Sequence, residues 1–173
     1  HEAVALREVL LERDLSYQHA LDLLTAFRQD VTKRRYADWN ELLDYCRYSA
    51  MPVGRFVLDV HGESPSTWSA NDALCTALQI INHLQDCAKD FRELDRVYLP
   101  LDLMEGASLS LMALARDKST FALRGIIAQL ARRTQGLLAT ARPLPAQIRD
   151  RRLSLEVSVI QTLAEDLTEN LLN

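Results

Sequence analysis

Residues 79–91 read QIINHLQDCAKDF, and within them Gln79, Asn82, Asp86 and Asp90 follow one another at intervals of three, four and four. At 100° per residue the four fall within about 80° on one helix face, in a row about 16 Å long. Helix stability does not account for them, because Asp is a weak helix former and two carboxylates one turn apart repel. A row of amide and then carboxylate oxygens suits a hard cation. Mg²⁺ takes oxygen ligands, keeps several waters and is usually held by one or two carboxylates together with phosphate oxygens. Asp86 and Asp90, with Asn82 as a neutral donor, would supply half of such a site, and the facing carboxylates would have to come from another helix. The plainer account is a solvated face on which Asp86 pairs with Lys89, and spacing alone leaves the two open.

Other chemistries find less support. His83 and Cys87 are also four apart, but no further ligands converge on them for a tetrahedral zinc site, and His83 reads better as a satisfied structural histidine. The Glu-x-x-His pairs of a di-iron bundle, the G-x-S-x-G elbow and Gly-rich phosphate loops do not occur.

The elements that must position the row are helical throughout, and no alternating strand pattern is present. Val4 to Leu11 reads as the end of one helix, broken near Arg13 and Asp14. A second runs from an N-cap at Ser16 to Arg35, with Leu21, Leu24 and Phe27 on its buried face. Asp38 and Glu41 form a capping-box-like pair that opens a third helix, which Pro52 kinks and Gly62 ends. Ser49, Ala50 and Gly54 around the kink allow a close approach. ESPSTWSAN is a loop, and the fourth helix spans about Asn71 to Leu94. Its opposite face carries Leu74, Ala77, Leu78, Ile81, Leu84, Ala88 and Phe91, so the oxygen row would line a cavity wall backed by core. DRVYLP leaves in an extended exit set by Pro100. Asp102 to Gly106 forms one turn, Ser110 to Lys118 and Thr120 to Ala141 two helices, and a last helix runs from Ala146 past the end.

A chain of 173 residues with 48% hydrophobic and 25% charged residues can bury a real core. The net charge of −4 argues against nucleic acid as a partner. The basic clusters at Lys33, Arg34 and Arg35, and at Arg149, Arg151 and Arg152, are short, flanked by acids, and read as solvated helix faces. Three cysteines without framework spacing point to reduced thiols in a cytoplasmic protein. No run approaches the roughly 18 apolar residues of a membrane span, which leaves peripheral contact with the inner membrane as an open possibility. Oligomeric state is not legible.

The lines YCRYSAMPVGRFVL and NDALCTALQIINHLQDCAKDFRELDRVYLP resemble the squalene/phytoene synthase family of isoprenoid synthases. The matching positions are Tyr45-Cys46, Val53-Gly54, Gln79, Asn82, Asp86, Asp90, Arg96, Tyr98 and Pro100, an ordered set far more specific than a lone acidic pair. The resemblance spans about residues 1 to 140. It implies one all-α domain over residues 1–173 with the isoprenoid synthase fold, a helical bundle around a central cavity, here incomplete at both ends. It further implies that Asp86 and Asp90 are the second aspartate-rich motif, binding Mg²⁺ and diphosphate, with Asn82 an additional metal ligand. Gln79 is then a substrate-contacting amide, Tyr45 the catalytic tyrosine near the diphosphate and the forming cation, and Arg96 and Tyr98 exit-loop residues lining the pocket. For Tyr45 and Tyr98 the competing account is a core aromatic with its hydroxyl satisfied.

Three details, AFRQDVTKRRY, SAMPVGR and Gln85, lean toward the hydroxysqualene synthase branch of hopanoid biosynthesis. That branch ionises presqualene diphosphate and traps the carbocation with water. The alternatives are head-to-head synthases of presqualene diphosphate, squalene or phytoene acting on farnesyl diphosphate, and a non-catalytic helical member. Two departures from the pattern stand out. The first aspartate-rich motif is absent from this sequence, so a molecule beginning at His1 would have a half-built metal site and be inactive. No tyrosine follows Tyr98, although many relatives carry one near the position of Val159 to Gln161.

Overall fold

The computed structural model describes residues 2–116 and 118–172. Its helices are α1 (Glu2–Glu12), α2 (Gln18–Thr32), α3 (Trp39–Ser49), α4 (Met51–Val60), α5 (Trp68–Gln85), α6 (Cys87–Leu94), α7 (Leu101–Gly106), α8 (Phe121–Ala141), α9 (Leu144–Gln147) and α10 (Arg151–Asn170). Two 3₁₀ turns, Pro65–Thr67 and Leu111–Ala115, join them. Among the described residues the only extended pairing is one parallel bridge between Arg35 and Val97. The all-α expectation holds.

Local chemistry explains most boundaries. Asp14 takes a left-handed φ of 52° after α1, where the break was expected. Asp38 accepts from the Glu41 amide at 2.9 Å and so caps α3, while the Glu41 carboxylate accepts from the Ala37 amide one residue upstream of the cap. The kinked third helix is two helices that meet at Ala50 (φ −121°, ψ −52°), with Pro52 in the first turn of α4. There its missing N–H leaves no hydrogen bond unmade. Gly62, with φ 67°, follows α4.

Several expected boundaries move. The helix expected from Asn71 begins at Trp68, because Pro65 and the Ser64 hydroxyl, which accepts from Ser66 N, organise the preceding turn. It also bends at Asp86 (φ −95°, ψ 6°), a weak helix former, and divides into α5 and α6. The bonds from Asp86 N to Asn82 O (2.9 Å) and from Asp90 N to Asp86 O (2.8 Å) carry the row across the bend. The helix expected over Ser110 to Lys118 is the short 3₁₀ turn, and Asp117 lies outside the described residues. α10 starts at Arg151, five residues later than expected, where Asp150 accepts from the amides of Arg152 (2.8 Å) and Leu153 (3.0 Å). The expected run past its end reaches Asn173, also outside the described residues.

α5 is the central helix, with Ala77, Ile80, Ile81 and Leu84 buried against α3, α4 and α8. Gly54 permits the α4–α5 approach: a Cβ there would collide with Asn71 Oδ1 and Cys75 Sγ. The buried carboxylate of Glu63 accepts from the amides of Arg149 (2.9 Å) and Asp150 (2.8 Å) and ties the end of α4 to the start of α10.

Two expectations are corrected here. Leu21, Leu24 and Phe27 are 44%, 46% and 60% exposed, and α2 instead buries His19 and Ala26. The cause is that α3 and α4 pack on the other side of α2. Lys33, Arg34 and Arg35 do not form a solvated helix face either. α2 ends at Thr32, and the three cations turn into an extended segment where Lys33 pairs with Glu41 at 2.7 Å and both arginines pair with Asp95.

Candidate active site

The segment leaving α6 is laid against the segment between α2 and α3 by backbone bonds from Val97 N to Arg34 O (2.9 Å), Leu101 N to Tyr36 O (2.9 Å) and Asp102 N to Ala37 O (3.0 Å). The Arg34 and Arg35 pairs with Asp95 fasten its start. This pairing brings Tyr98 into a stack of rings. Tyr98 lies parallel to His83, with centroids 3.5 Å apart and planes at 11°, and on its other neighbour Tyr36 at 5.4 Å and 20°. Tyr45, on α3, closes the cluster at 5.8 Å from Tyr98.

One carboxylate organises the polar groups of this cluster. The Tyr45 hydroxyl donates to Asp30 Oδ1 at 3.1 Å, and Arg96 Nη2 donates to the Asp30 carbonyl at 2.8 Å. A second Arg96 nitrogen lies 3.9 Å from the same carboxylate. Burial, then the neighbouring Tyr98 and Asp30, hold the Tyr45 phenol well above its ordinary range, so it stays protonated and donates. Burial likewise raises the Tyr98 phenol. Asp30 was not legible as a site residue. It is one of several polar residues near the end of an amphipathic helix, and only the fold unites it with Tyr45 and with Arg96, 66 positions away.

Gln79 joins the cluster from α5, its amide nitrogen 3.2 Å from His83 Nε2. Burial, then the charge of Arg96, pushes the His83 imidazole down to about 3, so the ring is neutral at physiological pH. His83 is therefore the stacked, satisfied histidine expected from the sequence rather than a free ligand.

The oxygen row itself is placed differently from expectation. Asn82 and Asp86 are exposed and Asp90 is half-buried, so among the described residues the row stands on an open face and not in the wall of an enclosed cavity. The carboxyl of Asp90 is raised by burial and then by the neighbouring charge of Asp86. The charges of Lys89 and then Arg96 offset part of that rise, although among the described residues no ion pair joins Lys89 to Asp86. Two carboxylates and an amide oxygen on one face match the donors a hard cation takes. They are a partial set: no group of three or more His, Cys, Asp or Glu residues that could hold a metal ion occurs among the described residues.

Helices of this order and packing belong to the isoprenoid synthase fold. A crystal structure of the squalene synthase HpnC from Alicyclobacillus acidocaldarius superposes with a TM-score of 0.87 at 34% identity, covering 96% of this chain and 63% of that one. A dehydrosqualene synthase solved with a ligand shares the fold at TM-score 0.78 and 22% identity, over 87% of this chain and 53% of that one. The squalene/phytoene synthase family model matches residues 1–173, and the chain belongs to that family. A hydroxysqualene synthase from Rhodopseudomonas palustris is 59% identical over 170 residues, 98% of this chain. The chain spans about 58% of the length of that relative.

Proposed function

We propose that these 173 residues are part of a single-domain hydroxysqualene synthase that ionises presqualene diphosphate and captures the carbocation with water. The observation that carries this reading is that Gln79, the first member of the oxygen row, reaches His83 of the packed aromatic cluster at 3.2 Å. Asp86 and Asp90, with Asn82, would hold Mg²⁺, which when bound neutralises the negative charge developing on the departing diphosphate. Tyr45 and Tyr98 offer π faces and phenol oxygens to the cation left behind, with the neutral His83 stacked against Tyr98. Asp30 keeps the Tyr45 proton engaged, so the phenol presents its electron-rich oxygen. Arg96 and Gln79 position the substrate at the two ends of the cluster. The 59% identity to the Rhodopseudomonas hydroxysqualene synthase supports this branch over condensing relatives. The reading describes a cytoplasmic protein that touches the inner membrane peripherally to exchange lipidic substrate and product. No helix of the described residues is long and apolar enough to cross a membrane.

The test uses the full-length protein with Mg²⁺ in ¹⁸O-labelled water. Presqualene diphosphate should yield an alcohol carrying the label, and farnesyl diphosphate should remain uncondensed. Condensation of farnesyl diphosphate, or an unlabelled alcohol, would overturn the assignment.

A further inference from the structure

His83 and Gln79 form a hydrogen-bonded pair one turn apart on α5. Gln79 directs its amide nitrogen at His83 Nε2 across 3.2 Å. An amide nitrogen only donates, so Nε2 accepts and the neutral ring carries its proton on Nδ1. Because the amide is planar, Oε1 then projects away from the ring. Among the described residues no protein group donates to Oε1, and Gln79 is half-buried on the row that continues through Asn82.

The ring cannot easily turn to release this amide. Tyr98 covers it at 3.5 Å and 11°, and Tyr36 backs Tyr98 at 5.4 Å. The Tyr36 and Tyr98 segments are in turn bonded to one another through Val97 N–Arg34 O and Leu101 N–Tyr36 O. A half-buried glutamine side chain is ordinarily free to sample several rotamers and both amide orientations. This one is held by a stacked imidazole.

We propose that His83 is a positioning residue that fixes the Gln79 amide so that Oε1 orients the water capturing the carbocation. This inference rests on the water-capture reading above. The water oxygen forms the new C–O bond, and one of its protons must then leave. An amide oxygen aligns that O–H without keeping the proton, which passes to the released diphosphate. Without an aligned water, the cation instead loses a proton from a neighbouring carbon to the same diphosphate and becomes a hydrocarbon. The Gln79–His83 pair thereby decides between alcohol and alkene.

The test compares full-length wild type with His83→Phe, which keeps the stack and removes the acceptor, and with Gln79→Met, which keeps the volume and removes the amide. With presqualene diphosphate and Mg²⁺, both variants should shift the alcohol-to-hydrocarbon ratio about tenfold toward hydrocarbon, the value of one well-placed hydrogen bond. A purely structural His83 would lower total turnover and leave the ratio unchanged, which overturns the proposal. The ring nitrogens of wild type, read by ¹⁵N NMR, give a measurement independent of variant folding. Protonation at Nδ1 is expected, and protonation at Nε2 would turn the Gln79 oxygen toward the ring and overturn it. A wild type that makes no alcohol at all instead sinks the water-capture reading, a result distinct from an unchanged product ratio.

Discussion

The Tyr45 hydroxyl donates to Asp30 Oδ1 at 3.1 Å, and the backbone carbonyl of the same aspartate receives Arg96. Three elements, α2, α3 and the exit segment, therefore converge on a residue that lies within the AFRQDVTKRRY stretch but that no spacing singles out as a site residue. On the proposed reading, replacing Asp30 with Ala in the full-length protein should lower kcat about tenfold with little change in KM, since Tyr45 loses its acceptor while the carboxylate row is untouched. Asp30→Asn keeps an acceptor oxygen and should recover most of the rate. Equal losses in the two variants would show that the carboxylate acts otherwise. Urea denaturation should register about 1–2 kcal/mol lost in Asp30→Ala.

Asp86 and Asp90 should separate stability from activity. Without metal they repel across one turn, and Asp90 already has a raised carboxyl pKa from burial and from Asp86. Asp86→Asn or Asp90→Asn should hold the metal-free protein's stability or raise it by about 0.2–0.5 kcal/mol. If the row holds Mg²⁺ as proposed, each should cut turnover of the full-length protein by at least about 100-fold. Thermal melts with and without Mg²⁺, beside product formation, check both signs.

His83 should make the fold acid-sensitive. Its folded value is about 3 against 6.5 for the free side chain, so the unfolded chain takes up the proton first as pH falls. The stability contributed by the neutral ring is complete above pH 6.5 and is lost as pH falls toward 3. The total is of order a few kcal/mol. His83→Phe should flatten the fall in urea midpoint across that window relative to wild type. Parallel curves for the two proteins would show that the ring does not control it.

Gly54→Ala should destabilise the α4–α5 contact. Its Cβ would collide with Asn71 Oδ1 and Cys75 Sγ, both on the buried side of α5, so a helix must shift. A loss of about 1–3 kcal/mol is expected in thermal or urea unfolding. An unchanged midpoint would mean that α4 moves away freely.

The helices around the site were legible because their signals are local. Asp38 with Glu41, Pro52, Gly62 and the 3.6-residue spacing of Leu74, Ala77, Ile81 and Leu84 act within a turn or two of their own positions. Boundaries such as Trp68 and Arg151 were misplaced where a cap from Ser64 or Asp150 outweighed the hydrophobic pattern. Leu21, Leu24 and Phe27 were read as buried because an apolar stripe announces that it can be covered, not which neighbour covers it.

By itself the sequence determined the helical class, the order of oxygens from Gln79 to Asp90, and the motif set that marks the family. Each of these is written in residue types at short spacing. Tertiary structure alone decided that Asp30 anchors Tyr45 and Arg96, that His83 lies stacked and neutral against Tyr98, and that Gln79 is held by it. Those facts depend on an extended pairing between Arg34–Tyr36 and Val97–Leu101. Hydrogen bonds between segments some sixty residues apart leave no periodicity in the chain that makes them.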